Sequence, residues 1–461
     1  MIRLFKHYIP HAVILLGLID IVLLVLAGEL AWRLRAEQID MDPGALFDRV
    51  WTHLGLAAMM LMAMIAVGVY GSDSLRSMRF ATARLLVAVS LGIIALSFVD
   101  FVIAGQNFWR STLVYAMALA IALLVANRVI VGGILGTQAF RRRVLVLGAG
   151  ARAQRLRELG DRPESGFVIV GYVAMSDQQA QVEEAISRSA IHNLNRFVDN
   201  LGVSEVVLAL EERRNSLPLA DLLRIKTAGV HVNDFSSFIE RETGRVDLDT
   251  VNPSWLIFSD GFSSGRAVSG VAKRLFDIVA SALLLVLTAP LILLFALLVK
   301  LDSRGPAFFR QTRVGLYAQD FDVIKLRSMR TDAEAAGAQW ATHNDPRVTR
   351  VGRFIRKVRI DELPQAWGVL KGDMSFVGPR PERPEFVEDL QKQLPYYAER
   401  HMVKPGITGW AQINYPYGAS IEDSRHKLEY DLYYAKNYTP FLDLLIILQT
   451  LRVVLWHEGA R

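Results

Sequence analysis

The alternation of apolar and polar positions divides the chain into three regimes. Four long apolar stretches come first, Ala12–Ala31, Leu54–Tyr70, Leu85–Ala104 and Thr112–Leu135, and each reaches the roughly 17 to 20 residues that a helix needs to cross hydrocarbon. The first has no small-residue cleavage site and three similar segments follow it, so it reads as a span and not as a cleaved signal. The pattern then changes at RRRVLVLGAGARAQRLREL into a short apolar strand, glycines and a helix. Further strands are predicted at Phe167–Ala174, Glu205–Leu210 and Val230–Asp234, with helices at Ile191–Leu201 and Leu217–Gly229. Strands alternating with helices predict a doubly wound parallel sheet.

A third regime begins after Gly261–Gly270, a Gly- and Ser-rich linker. There an almost uninterrupted apolar run, Ile278–Val299, carries Pro290 near its middle. Length alone would make it a fifth span. Its flanks are basic on both sides, with Arg266, Lys273 and Arg274 before it and Lys300, Arg304, Arg310 and Arg313 after. Crossing would strand one cationic cluster outside. Proline removes a backbone donor and kinks a helix, so a broken, re-entrant helix over residues 273–300 satisfies both observations. The remainder, Pro306–Arg461, is mixed and polar. Within it Phe441–Trp456 is apolar but interrupted by Asp443, Gln449 and Arg452, which suits a helix lying in the membrane interface, with a buried core helix as the alternative. There is no low-complexity segment and no internal repeat.

Charge orients these elements. Arg3 and Lys6 precede the first span, Arg76, Arg79 and Arg84 lie between the second and third, and Arg141, Arg142 and Arg143 follow the fourth. The positive-inside rule therefore predicts that the N-terminus and everything after residue 140 face the cytoplasm. Arg33, Arg35 and Arg49 in the first outer loop fit that rule poorly. Asp20 and Asp100 fall within spans, where a charge is costly; no opposite buried charge accompanies them in the pattern, so helix packing or a place near the interface is expected.

Composition sharpens this picture. Of 461 residues 52% are hydrophobic and mean hydropathy is +0.26, high for a soluble protein. Cysteine is absent, which excludes disulfides, thiolate metal sites and cysteine nucleophiles. A net charge of +6 and a pI near 9.4 fit an anionic membrane surface or anionic substrates. No basic and aromatic interleaving points to nucleic acid.

Two places carry candidate chemistry. Gly148, Gly150 and Ala153 form a GxGxxA version of the dinucleotide fingerprint, in which glycines let a pyrophosphate approach a helix N-terminus. Its expected acidic partner is displaced, Asp177 lying too far on, and Arg152 and Arg155 offer themselves to an anion instead; a Rossmann-like scaffold without a dinucleotide is the competing reading. The second place is RKVRIDELPQAWGVLKGDMSFVGPRPERPEF, with Asp361 and Glu362 adjacent between basic residues and a Pro-rich turn. Asp361 could simply cap a helix running on to Leu370. The surroundings favour more than a cap: Arg350, Arg353, Arg356, Lys357 and Arg359 stand just before it, Lys325 and Arg327 lie in FDVIKLRSM, and Gly378-Pro379-Arg380-Pro381 would hold one guanidinium stiffly. Guanidinium groups bind phosphate oxygens in bidentate fashion. A carboxylate can attack phosphorus to form an acyl phosphate, a second can hold Mg2+, and a helix N-terminus under Asp361 would keep it ionised. His343, His401 and His426 lack metal-ligand spacing and read as surface or packing residues.

The blocks KRLFDIVAS, GPAFFRQTRVG, IKLRSM, RIDELPQAWGVLKGDMSFVGPRP and KPGITGWAQIN occur in order over Val271–Arg461. Together they resemble the bacterial polyprenyl-phosphate sugar-phosphate transferases, the monotopic phosphoglycosyl transferases, and the whole layout resembles their large, exopolysaccharide-initiating form. The resemblance implies a membrane protein with a four-helix transmembrane bundle (1–140), an α/β Rossmann-like middle domain (141–260), a linker (261–270) and an α+β monotopic catalytic domain (271–461) holding the re-entrant helix. It implies transfer of a hexose phosphate from a UDP-sugar, glucose or galactose favoured, to polyprenyl phosphate such as undecaprenyl phosphate, with UMP released through a phosphosugar-aspartate intermediate. Asp361 matches the nucleophile, Glu362 its Mg2+-associated partner and Arg380 a phosphate-binding arginine. Lys325, Arg327, Arg359 and Lys404 join Arg380 as candidate substrate cations, and Lys273, Arg274 and Pro290 match the start and break of the membrane helix. It also implies inner-membrane lipid as a partner, a cytoplasmic catalytic face and a possible homodimer. Thr288-Ala289-Pro290 replaces the usual Ser-Pro, and Tyr-Pro-Tyr follows Asn414 where many members have Gly-Arg, which leaves the sugar open. The rival functions are an NAD-dependent membrane nucleotide-sugar epimerase or dehydratase and a non-enzymatic scaffold for polysaccharide assembly. The first needs a Tyr-x-x-x-Lys pair, and no tyrosine here has lysine four residues later.

Overall fold

The computed structural model describes residues 2–456, apart from 5–6, 10, 71–77, 103–109, 136–140, 163–164, 176–180, 212–216, 252–266, 334–344, 417 and 419. Two compact units make up the chain, Met1–Gly244 and Arg245–Arg461. The first unit opens with four apolar helices, α1 (His11–Gln38), α2 (Val50–Val67), α3 (Met78–Val102) and α4 (Arg110–Leu135). They pack around a core that includes Leu24, Leu56, Met60, Leu85 and Leu124, while Leu18, Val22, Ile94 and Val114 are more than half exposed on the outside. Apolar side chains facing outward at this density suit lipid as the surrounding solvent.

A buried ion pair crosses this bundle, and it corrects the expectation for Asp20. Arg128 of α4 donates to Asp20 of α1 at 2.6 and 3.1 Å, Asn127 adds a bond at 3.0 Å and the Tyr70 hydroxyl one at 2.8 Å. Both ions are nearly inaccessible. The opposite charge was concealed in the sequence because Arg128 stands 108 residues away inside an apolar run. The side chain of Asp100 lies outside the described residues. At the other end of α1, Glu29 accepts from Arg33 at 2.7 Å and from Arg49 at 3.2 Å, and lies 3.0 Å from His53. This pairing accounts for two of the three arginines that fit the positive-inside rule poorly.

After the helices the first unit holds a five-stranded parallel sheet, β1 (Arg142–Leu147), β2 (Phe167–Ala174), β3 (Ile186–Ser187), β4 (Glu205–Leu208) and β5 (His231–Asp234), in the order β3-β2-β1-β4-β5. The apolar runs of β1 and β4 are buried on both faces: Val144, Val146 and Val207 belong to one core, Leu145, Leu147 and Val206 to the other. The Gly-rich loop after β1 thus lies at the point where strand order reverses.

The second unit is α+β. Its helix Ala267–Asp302 takes in the last residues of the expected linker, the rest of which lies outside the described residues. The helix does not break at Pro290; it runs on through the proline. By length and composition it is the fifth helix able to cross a membrane, yet both of its ends are bound to the same unit. Near one end Lys273 donates to the Val377 carbonyl at 3.1 Å and to Asp443 at 2.5 Å, and Arg274 donates to the carbonyls of Val369 and Leu370 at 2.7 Å each. At the other, Arg327 donates to the carbonyls of Ser303 at 2.7 Å and Arg304 at 2.8 Å. Between them the outward residues Val286, Leu287 and Leu293 are about two-thirds exposed or more, from 65% to 73%.

An antiparallel hairpin, Phe308–Val314 with Asp320–Leu326, a short parallel pair, Ser375–Val377 with Gly406–Thr408, and helices at 350–357, 384–393 and 421–437 complete the unit. The helix Pro440–Trp456 buries Leu442 and Ile446 against Val377 and Tyr434, so the core-helix alternative describes that face. Removing one member of the Asp20–Arg128 pair should leave an uncompensated buried charge. We expect Asp20→Leu to cost about 3 to 5 kcal/mol, seen as a lower melting temperature in detergent, and the double variant Asp20→Leu/Arg128→Leu to recover most of it.

Candidate active site

The adjacent carboxylates sit in a 3-10 turn, Ile360–Gln365, entered through Arg359 in the left-handed region at φ 61°. The reversal follows from local chemistry. The helix Arg350–Lys357 is started by the Thr349 hydroxyl, which accepts from the Gly352 amide, and Pro364 cannot donate to a continuing α-helical ladder. Asp361 is therefore not the cap of the following helix: no side-chain capping bond is formed at this turn, and the next α-helix starts only at Ala366. Buried neighbours Pro364, Gln365 and Ala366 anchor the turn.

Three elements converge on Glu362. Arg380, from the GPRP turn, donates to Glu362 Oε1 at 2.7 Å, and Lys325, from the strand Asp320–Leu326, donates to the same oxygen at 3.2 Å. Arg359 approaches it at 3.9 Å. Burial alone would raise this carboxyl; the charges of Arg380, Lys325 and Arg359 overcome it and hold Glu362 well below the usual range. Asp361 responds in the opposite way. Burial first, and then the negative charge of Glu362 beside it, push it up to about 6 despite Lys325, Arg359 and Arg356. The expected ionising helix end is thus replaced by a desolvated site. Asp361 Oδ1 is buried without a hydrogen-bond partner.

The GPRP turn is stiff for a reason that the sequence shows in part. A Cβ on Gly406 would lie 2.1 Å from the Gly378 amide nitrogen, so the backbones of GPRP and KPGITG touch where both have glycine. The Gly406 amide donates to the Pro379 carbonyl at 2.9 Å and Gly378 donates to Thr408 at 2.9 Å.

Of the predicted substrate cations, the structure gathers Lys325, Arg359 and Arg380 at Glu362 and gives the others different partners. Arg327 is buried and spends its guanidinium on the carbonyls that end the long helix. Lys404 donates to the Gly372 carbonyl at 2.7 Å. Lys273 and Arg274 bind Asp443 and helix carbonyls. All four answer the cost of leaving helix ends or a buried acid without a partner. Sequence did not connect Asp443 and Tyr434 with Lys273, which donates to both; the Tyr434 hydroxyl donates in turn to the Val377 carbonyl and to Asp443.

In the middle domain the fingerprint glycines serve the chain's own packing. Gly148 has φ 134°, and a Cβ on it would meet the Ala209 carbonyl oxygen at 2.5 Å. The helix N-terminus that a pyrophosphate would approach is met by Glu211, whose carboxylate accepts from the Ala151 amide at 3.1 Å. Arg152 donates to the Leu210 carbonyl at 2.6 Å, Ala153 is buried in the sheet core, and Asp177 lies outside the described residues. No cluster of three His, Asp or Glu residues arranged for a metal is found among the described residues. His401 is buried, His426 stands beside Glu422 and Glu429, and His343 lies outside the described residues.

The chain is similar to known proteins along its whole length. A family model described as bacterial sugar transferase matches residues 268–457, and one described as CoA-binding domain matches residues 65–223. A UDP-glucose:undecaprenyl-phosphate glucose-1-phosphate transferase of Xanthomonas campestris pv. campestris is 30% identical over 99% of this chain and 96% of its own length. An undecaprenyl-phosphate glucose phosphotransferase of Komagataeibacter xylinus is 34% identical over 75% of this chain. A UDP-N-acetylgalactosamine-undecaprenyl-phosphate N-acetylgalactosaminephosphotransferase of Aeromonas hydrophila is 45% identical over 52% of it. The match spans 65% of the Komagataeibacter protein and 56% of the Aeromonas one.

The electrostatics of the pair make a directional test. Lys325→Met removes a charge that lowers Asp361, so its carboxyl should titrate above 6, whereas Glu362→Gln removes a charge that raises it, and it should titrate lower. Infrared titration of isotope-labelled aspartate would read both shifts; shifts of the same sign would contradict the assigned causes.

Proposed function

The chain belongs to the bacterial sugar transferase family, and on that premise we propose that it transfers a sugar 1-phosphate from a UDP-sugar to undecaprenyl phosphate and releases UMP. The observation that carries the reading is a desolvated carboxylate with an unpaired oxygen, Asp361, beside a carboxylate held by two cations. In this mechanism an Asp361 oxygen attacks the sugar-bearing phosphorus, the bond from that phosphorus to the bridging oxygen breaks, and UMP leaves with that oxygen. An oxygen of undecaprenyl phosphate then attacks the same phosphorus and Asp361 departs as the carboxylate. Desolvation strengthens the nucleophile, because a carboxylate stripped of water has less solvation to lose on attack. Arg380, one-third exposed, is placed to bind a diphosphate oxygen, and Lys325 and Arg359 add positive charge around it.

Two neighbouring carboxylates, one with an orphaned oxygen, fit the oxygen donors that Mg2+ takes from a protein while it keeps waters and substrate phosphates. Glu362 would hold it, and when bound it would neutralise diphosphate charge. Glucose stands in the names of the Xanthomonas and Komagataeibacter relatives and N-acetylgalactosamine in that of the Aeromonas one; we propose these two sugars in preference to galactose.

The same reading places the protein in a bacterial inner membrane, as the first membrane step of exopolysaccharide synthesis, with the second unit on the cytoplasmic face. The long helix, unbroken at Pro290, presents its exposed middle to lipid without crossing the bilayer. Support comes from its two ends: a helix crossing about 30 Å of hydrocarbon presents its ends to opposite sides, whereas Lys273 and Arg327 tie both ends to one polar unit. Exposed Phe354, Val358 and Trp367 among exposed Arg353, Lys357 and Arg359 suit a site at the lipid surface.

Asp361→Asn should abolish UMP release from UDP-sugar in the presence of undecaprenyl phosphate, with melting unchanged; residual turnover near the wild-type rate would sink the nucleophile assignment. Because attack needs the ionised form, and Asp361 titrates at about 6, the rate should be full above pH 7 and fall tenfold per unit below 6. An acid limb near 4 would contradict this. UMP release over UDP-glucose, UDP-N-acetylgalactosamine and UDP-galactose decides the sugar.

A further inference from the structure

We propose that Arg400, held by Asp431 and Tyr397, is a positioning residue that fixes Arg380 through its backbone carbonyl. The inference rests on the assignment of Arg380 as the substrate-facing cation. Arg400 lies in the 3-10 turn Tyr397–Met402 and is 5% exposed; Asp431, on the helix Ile421–Asn437, is 2% exposed. The guanidinium donates to Asp431 Oδ2 at 2.7 and 3.1 Å and to the Tyr397 hydroxyl at 2.9 Å. Its remaining reach goes to the carbonyl oxygen of Arg380, at 2.9 Å. A buried ion pair seldom stabilises a fold more than apolar residues of equal size would. What apolar residues could not supply here is a rigid donor to one chosen carbonyl.

That carbonyl belongs to the one residue of the turn whose side chain meets Glu362. Four other carbonyls of this segment are also held. Val377 accepts from Lys273 and from the Tyr434 hydroxyl, Pro379 from the Gly406 amide, Pro381 from Arg313 at 3.0 Å and Glu382 from the Val314 amide at 2.9 Å. Arg400 closes this series at Arg380 itself. The turn has no secondary structure of its own to fix it, so these bonds decide where the Arg380 guanidinium points. A misplacement on the order of 1 Å can cost about a hundredfold in rate.

The test is a double-mutant cycle on UMP release. Arg400→Lys keeps the charge opposite Asp431 but replaces three spaced guanidinium nitrogens by one, which cannot reach Asp431, Tyr397 and the Arg380 carbonyl together. We expect it to lower kcat/KM about tenfold or more when Arg380 is present and less than twofold in an Arg380→Ala background. Tyr397→Phe, which removes one anchor and keeps the ion pair, should show a smaller loss with the same dependence on Arg380, and it decides the question if the Lys variant does not fold. Equal losses in both backgrounds would mean that Arg400 acts on the fold at large and would overturn the proposal, as would full activity of Arg400→Lys. Full activity of Arg380→Ala would overturn the role of Arg380, and the clamp with it. Loss of activity on Asp361→Asn is independent of either outcome, so a failure of the clamp and a failure of the transferase reading are distinguishable.

Discussion

The second unit is organised around the carboxylate of Glu362. It lies mostly out of water, where an unpaired charge would cost several kcal/mol, so the chain must bring cations to it. Lys325 arrives from a strand, Arg380 from a Pro-rich turn and Arg359 from the left-handed entry to the carboxylates' own turn. Satisfying one acid thus adds a polar tie between elements whose apolar residues, Leu326 with Ile360 and Leu363, already pack together. Asp361 inherits the consequence. The cations that neutralise Glu362 do so at Oε1, and the adjacent carboxyl is left buried with an oxygen that bonds nothing. One pair of identical functional groups is separated into a permanently charged member and a poised one by its surroundings, which is how neighbouring carboxylates acquire different roles.

The same economy governs the basic residues around the long helix. Arg327 looks in sequence like a phosphate ligand and Arg274 like the basic start of the membrane helix, yet each spends its donors on carbonyls at the ends of helices. A helix end inside a folded unit must have its carbonyls satisfied, and arginine does this while balancing the negative end of the helix dipole. Lys273 meets a different demand, the buried acid Asp443. Both ends of an apolar helix are tied in this way to one unit, while its middle stays exposed.

In the transmembrane bundle and the middle domain, buried charge again dictates arrangement. Asp20 and Arg128 could not lie in hydrocarbon singly, and their pairing sets α1 against α4 in one register. In the sheet domain the helix that follows the fingerprint glycines meets Glu211, whose carboxylate accepts from the Ala151 amide. The first glycine is required by the fold itself, since Gly148 adopts a positive φ against the Ala209 carbonyl.

Sequence by itself determined the order of elements and the local chemistry. Apolar runs marked the spans, strands such as Phe167–Ala174 were legible to the residue, and the blocks around Asp361 and Arg380 were contiguous enough to identify the family. These properties are recorded within a few turns of chain, where periodicity and side-chain type act directly. Tertiary structure alone decided which charges face one another and how far from water they lie. Arg128 could not be read as the partner of Asp20 across 108 residues. Nor could Arg327 be told from Lys325, two residues away, until one was seen on helix carbonyls and the other on Glu362. Local sequence suggested a helix end that would favour the ionised Asp361; the fold puts a 3-10 turn without a capping bond there, and burial pushes the carboxyl up. Burial is a property of the whole fold, which no local segment records.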